Sequence, residues 1–341
     1  MSVTPPTTTT CPPDDTPAAE PAPQPAPWKP ISLDRVAEIA PAAAATGGQS
    51  ERPALPPRLD VATMFGREPE SYDWVLPGLP AGRVGMLAAT GGAGKAWMAL
   101  QWLVALAGGW NAPWPDDLLP GPQRPPAHVL YVTAEETAQD LHHRLWALGR
   151  NLDVGQRSTV AEHLDIHPTV GLRLLSCGGP GPLVGALTDA LAPGRYALVV
   201  LDPLARLSAI DENDNREATE LVDAVDGIAR TSGAAVVMLH HVGKAALRAG
   251  DGDQSVARGA TGLVDGVRWL STLRPALTAP EAEQIEMDET ERRRWKVLDL
   301  PKRNYSGATP SITYRQGDSG VFTAGTLPTN DRRATKGRID L

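Results

Sequence analysis

The chain has 341 residues, 42% of them hydrophobic, and a net charge of −8, with a pI near 5.4. That is enough apolar residue for one large core or two small ones, and it excludes a surface that is basic all over. It leaves open nucleic-acid binding by a few Lys and Arg residues held in a channel.

Residues 1–60 hold 14 of the 33 prolines, together with runs of Thr and Ala. Such a segment buries too little apolar surface to offset its ordering entropy, so a disordered Pro-rich tail is expected. Within it, residues 32–40 place Leu33, Val36 and Ile39 on one helical face, which fits either a transient helix or a short helix that docks a partner. The opening MSVTPPTTTT has no basic start and no apolar stretch, which predicts no signal peptide. Cys11 and Cys177 form neither a CxxC pair nor a metal-ligand spacing, which suits a reducing, cytoplasmic compartment.

The folded domain is predicted over residues 61–324. A short apolar strand at 84–89 feeds a Gly-rich turn and then an apolar helix to residue 107. That helix is too short to span a bilayer and is interrupted by Gln101, so no membrane association is expected. A strand at 128–133 precedes a helix ending near Gly149, and Asp153 is placed to cap a further helix that reaches Leu164. Residues 197–201 and 234–239 are unbroken apolar strands. The helix between them, at 217–231, gathers Leu221, Val222, Val225 and Ile228 on one side. Strands that are apolar on both faces and separated by helices predict an α/β fold with a mostly parallel, buried sheet. Segments 267–273, 295–300 and 311–314 lack long helices between them and predict an antiparallel extension at one sheet edge. Residues 325–341 are expected to form a flexible tail, locally basic through Arg332, Arg333, Lys336 and Arg338.

Ala89-Thr90-Gly91-Gly92-Ala93-Gly94-Lys95-Ala96, between a strand and a helix, has the context of a phosphate-binding loop. Glycines let backbone N–H groups curl around phosphates, and the following helix N-terminus adds a positive dipole end. Thr90, Gly91, Gly92, Ala93, Gly94, Lys95 and Ala96 are therefore candidate nucleotide-binding residues, with Lys95 reaching the β- and γ-phosphates. The stretch departs from the strict pattern twice. Ala89 stands for the first Gly, where only a small residue is needed. Ala96 stands for the Ser or Thr whose hydroxyl normally ligates Mg²⁺.

Asp202 follows four apolar residues at a strand end, where a carboxylate holds Mg²⁺, commonly through water; a strand-terminating cap is the bland alternative. Glu135 and Glu136 follow the strand at 128–133, on the side where open parallel sheets bind ligands. Either is placed to polarise a water, or simply to sit in a helix first turn. His240 and His241 end another strand on the same side, where a His can touch the γ-phosphate; the alternative is that one packs under the sheet and the other is solvated. Residues 242–255 form a long polar loop with Lys244 and Arg248, either mobile surface or a projection that contacts phosphates.

The chain resembles the RepA-type hexameric replicative helicases of broad-host-range plasmids, within the RecA-like P-loop ATPases. The resemblance is carried by Gly91-Gly92-Ala93-Gly94-Lys95, by Tyr131-Val132-Thr133-Ala134-Glu135 and by His142-His143-Arg144-Leu145. It continues through Val200-Leu201-Asp202, Leu239-His240-His241, Arg258-Gly259, Val264-Asp265-Gly266-Val267-Arg268-Trp269 and Asn304-Tyr305. It implies a six-membered ring with ATP and Mg²⁺ between subunits, acting on single-stranded DNA. Under it, Lys95 and Asp202 bind ATP and metal, Glu135 is the catalytic carboxylate and His241 the γ-phosphate sensor. Arg268 is the arginine finger given to the neighbouring subunit, from the end of a strand at the subunit edge. Arg144 is a second phosphate-region residue, and the loop at 242–258, with Lys244, Arg248 and Arg258, faces the DNA. Lys302 and Arg303 add interface contacts. The N-terminal tail lies outside the resemblance and is a candidate site for a replication initiator or primase. Two other readings stand beside the helicase. One is an ATP- and DNA-binding module slowed by Ala96. The other is a regulatory ATPase acting on protein partners through the Pro-rich tail.

Overall fold

A computed structural model describes residues 58–110, 125–150, 152–176, 179–208, 210, 214–243, 261–305 and 310–328. It divides into two units, Met1–Glu68 and Pro69–Leu341. In the first, Val61–Gly66 forms one short helix. Its N-cap Asp60 accepts from the Thr63 amide at 3.2 Å, and none of its residues is buried. The tail over 1–57 and the basic residues near the C-terminus lie outside the described residues, as do both cysteines.

The second unit is built on a nine-stranded sheet. Its strands are β1 (Val84–Ala89), β2 (Val129–Thr133), β3 (Leu164–Pro168), β4 (Leu198–Asp202) and β5 (Ala235–His241). They continue with β6 (Trp269–Pro275), β7 (Trp295–Arg303), β8 (Ile312–Gln316) and β9 (Phe322–Ala324). The spatial order is β9-β8-β7-β6-β1-β5-β4-β2-β3. From β3 to β6 every neighbouring pair is parallel. From β6 to β9 every pair is antiparallel. The expected α/β core with a mostly parallel sheet and an antiparallel edge is therefore present. The extension begins one strand later than the sequence suggests, because β6 runs parallel to β1, Trp269 opposite Gly85 and Leu273 opposite Ala89. A parallel neighbour needs a long crossover, and the chain between His241 and Trp269 supplies it, closing with the helix Thr261–Gly266.

Among the described residues, the helices of nine residues or more beside the sheet are α1 (Lys95–Gly108), α2 (Ala138–Gly149), α3 (Val154–His163), α4 (Pro182–Ala190) and α5 (Asn215–Ser232). Asp153 caps α3 as its sequence suggests, in a capping box with Gln156. On α5 the four aliphatic residues of the expected face are all buried. Alternation along the strands splits the core in two. Leu87, Val200 and Val237 pack with Met98, Trp102 and Leu103 of α1. Met86, Val199 and Val236 face the other way, towards Leu221, Val225 and Ile228 of α5. Among the described residues, no helix is long and apolar enough to cross a membrane.

Gln101, the polar break in α1, ties that helix to the last strand. Its Nε2 donates to the Phe322 carbonyl at 3.0 Å, and its Oε1 accepts from the Phe322 amide at 2.7 Å. Both polar groups of a buried amide are thus used against both backbone groups of one β9 residue, and β9 is held over the start of α1.

Candidate functional site

The turn between β1 and α1 is shaped by two glycines. Gly92 and Gly94 have φ of 72° and 99°, in the left-handed region that other residues avoid. At Gly94 a Cβ would also sit 2.7 Å from the Phe322 ring, so this position is closed to larger residues on two grounds. Gly94 caps α1 without any side-chain hydrogen bond, so no side chain competes with an anion for the first-turn N–H groups.

Lys95 opens α1 and is only 5% exposed. Its Nζ donates to the Ala89 carbonyl at 3.1 Å and to the Thr90 carbonyl at 3.4 Å. It also stands 3.1 Å from His241 Nδ1. Burial, and then the Lys95 charge, push His241 below the usual histidine range, with Glu135 opposing. A neutral His241 accepts from Lys95 at Nδ1, which leaves its proton on Nε2, the atom 4.0 Å from Glu135 Oε2. Lys95, His241 and Glu135 thus form a chain across the ends of three separate segments. Glu135 is half-exposed and also accepts from Arg206 Nε at 3.0 Å.

Burial lowers Lys95 from the usual lysine range to about 8, while Asp202 and then Glu135 hold it up. In the free protein this charge opposes folding below pH of about 8, and the penalty is relieved as pH rises from there towards 10.5. Phosphate beside Nζ favours the charged form again. ADP binding is therefore expected to take up close to one proton per site at about pH 9 and almost none at about pH 7. Calorimetry in two buffers of different ionisation enthalpy measures the uptake; equal values at the two pH conditions would contradict this account of Lys95.

Asp202 ends β4, two strands from the Lys95 loop, with β5 between. It is 4% exposed. Burial raises its carboxyl above the ordinary range, and a hydrogen bond from Tyr131 is the first influence that opposes this. Tyr131 Oη donates to Asp202 Oδ2. Glu136 is the more buried of the two glutamates and pairs with Arg144. Burial raises it too, countered first by Arg144. Among the described residues, its buried Oε2 has no hydrogen-bond partner. The Arg144 guanidinium lies 5.1 Å from the Trp97 ring centroid, a cation–π contact that keeps it over the start of α1. His142 and His143 of the same motif are exposed on α2.

These groups line one cleft of about 340 Å³, bounded by Gly92, Gly94, Lys95, Ala96, Glu135, Glu136, Arg144, Asp202 and His241. Trp97 and, from β8, Gln316 complete its wall. Sequence reasoning missed Tyr131, Trp97, Gln316 and Arg206. Tyr131 alone carried a signal, a phenol in a largely apolar strand that needs a partner when buried.

Arg268 stands apart. It precedes β6 rather than ending a strand, and it is exposed. Its neighbour Trp269 is opposite Gly85, whereas the phosphate loop follows Ala89, so about 13 Å of strand separates the two ends. A strand's side of entry cannot be read from its apolar run alone, which is why the expected placement was reversed. Lys302 lies at this same end, its Nζ donating to the Val264 carbonyl at 2.8 Å and the Asp265 carbonyl at 3.1 Å. Lys244, Arg248 and Arg258 lie outside the described residues.

A family model described as an AAA domain matches residues 49–246, more than half of the 341 residues. That span contains Lys95, Glu135, Arg144, Asp202 and His241, but not the strands β6–β9. Among solved structures the chain is similar to a DnaB-like replicative helicase described with its interactions with primase. The TM-score is 0.51 and the identity 13%, over 71% of this chain and 57% of that one. The chain therefore spans little more than half the length of that helicase. A second solved structure, an isolated ATPase domain, aligns with a TM-score of 0.47 and 13% identity, over 71% of this chain and 84% of that one. At such identity the likeness to the DnaB-like helicase is one of fold, an α/β P-loop core. Site and family match coincide along the sequence, and the chain belongs to the AAA domain family.

Proposed function

We propose that this chain is an ATP-driven DNA helicase or translocase of the RepA type. It works as a homo-oligomeric ring, a hexamer, on single-stranded DNA in plasmid or mobile-element replication. The observation that carries the reading is the cleft itself. Lys95, Glu135, Asp202 and His241 converge there from four separate stretches of chain, while exposed Arg268 stands at the far end of the sheet. Such a division suits a site shared between subunits.

In the proposed cycle Lys95 leaves its loop carbonyls for the β- and γ-phosphates. His241 then loses its partner at Nδ1, so β5 registers whether a γ-phosphate is present. The segment after β5, residues 242–258, carries that signal to the DNA backbone through Lys244, Arg248 and Arg258. Glu135 orients the attacking water and accepts its proton. Arg144 lies in the phosphate region, and Arg268 from the neighbouring subunit stabilises the charge that develops in the transition state. Buried Asp202 and the unpartnered Glu136 Oε2 give the cleft the oxygen donors that a hydrated Mg²⁺ requires. When bound, the ion neutralises charge on the β- and γ-phosphates. ATPase and DNA binding then belong to residues 61–324, with the 1–60 tail recruiting an initiator or primase and 325–341 a flexible extension.

Strand displacement on a forked duplex tests this directly. ATP-dependent displacement is expected; hydrolysis that neither displaces a strand nor responds to single-stranded DNA would sink the helicase reading. Ala96 favours one second reading, a module that holds ATP and DNA but turns over slowly. A large gain in turnover in Ala96→Ser would support that reading over the first.

A further inference from the structure

Ala96 lacks the hydroxyl that a P-loop ordinarily offers to its metal ion. Asp202 is then left as the main metal-facing group, and its orientation matters more. An aspartate carboxylate turns broadly about its last torsion, yet here one of its oxygens is held by a neighbour. The backbone beneath it is fixed as well, the Asp202 carbonyl accepting from the Ala134 amide at 2.8 Å. Its Oδ2 accepts from Tyr131 Oη, a side chain only 1% exposed in the middle of β2. β2 and β4 are parallel neighbours, with Tyr131 opposite Val200 and Thr133 opposite Asp202. The phenol therefore reaches along the neighbouring strand towards its cleft end. A phenylalanine would fill the same core volume, so the hydroxyl serves this contact rather than packing.

We propose that Tyr131 is a positioning residue that compensates for the missing hydroxyl at position 96. It occupies Oδ2 and leaves Oδ1 for the metal's coordination shell, so that a fixed Asp202, with Glu136 beside it, would seat the ion without that hydroxyl. The inference rests on the ATP–Mg²⁺ reading of the cleft.

Mn²⁺, a paramagnetic substitute for Mg²⁺, provides the test. The full chain is titrated with Mn²⁺ at saturating ADP, and free Mn²⁺ is read by electron paramagnetic resonance. Tyr131→Phe is expected to weaken Mn²⁺ affinity about 10- to 100-fold, the usual cost of losing a partner behind a metal ligand. Its ADP affinity in EDTA, which a misfolded protein would lose, stays at the wild-type value. Adding Ala96→Ser to Tyr131→Phe restores most of the loss, because the new hydroxyl supplies the ligand that position 96 lacks. Wild-type Mn²⁺ affinity in Tyr131→Phe, or a double variant no better than Tyr131→Phe, overturns the proposal. A loss of metal-free ADP binding in Tyr131→Phe also overturns it, since the phenol would then serve the fold. A separate outcome, wild-type protein that takes up no Mn²⁺ with ADP, would overturn the nucleotide reading itself.

Discussion

In Lys95→Met, kcat/KM for ATP is expected to fall about a thousandfold, equivalent to about 4 kcal/mol of transition-state stabilisation. The size follows from where Lys95 lies. It is buried, it has no bulk water to replace it, and its charge sits among the Ala89 and Thr90 carbonyls and beside His241. Methionine follows the lysine stem as far as Cε and fills nearly the same space, so the loss reports the ammonium and not a large cavity. Two further consequences separate this from a general weakening. ADP affinity falls as well, because Lys95 acts on ground-state phosphates. The proton uptake at about pH 9 disappears with the group that titrates. Steady-state kinetics at saturating Mg²⁺ measures the first effect, and a drop smaller than about tenfold would place the phosphate site elsewhere.

In Arg268→Ala the pattern is different. The proposed shared site predicts a fall in kcat of about 10³-fold or more, within the range that arginine fingers contribute. ADP affinity and thermal stability stay close to wild type, because the residue is exposed and distant from its own cleft. A large rate effect without a binding or folding effect, from the far end of the sheet, requires delivery by another subunit. Mixing makes the same point. In an equal mixture of Lys95→Met and Arg268→Ala, some interfaces join an intact cleft to an intact Arg268, and activity returns above that of either variant alone. Near wild-type turnover in Arg268→Ala would remove this residue from the site.

The readable parts of the sequence were those with local causes. The β1–loop–α1 unit was legible because the glycines, the apolar strand and the helix start are contiguous. Asp202 and His241 were legible because each ends an unbroken apolar run, and a run's end marks the carboxyl side of a parallel strand. Long-range pairing was not legible. Gln101 reads as a flaw in an apolar helix until Phe322, 221 positions away, is seen to take both of its hydrogen bonds. Tyr131 meets Asp202 across 71 positions. β3 was missed because Leu164–Pro168 is a half-buried edge strand with Asp165 and His167 among its residues, the polar make-up that keeps edges from pairing with other chains. The direction of β6 was missed because periodicity marks a strand but not which way it enters the sheet. Glu135 and Glu136 are adjacent, so only the fold separates them, one facing His241 and Arg206, the other buried against Arg144.

The shared, DNA-responsive ATP site is tested most directly by one paired measurement on the full chain. ATP turnover is recorded with and without single-stranded DNA, beside the mass of the complex formed with a slowly hydrolysed ATP analogue. The account predicts a multi-subunit assembly whose turnover rises when single-stranded DNA is added. A protein that remains a monomer with nucleotide, and whose turnover ignores single-stranded DNA, would contradict it.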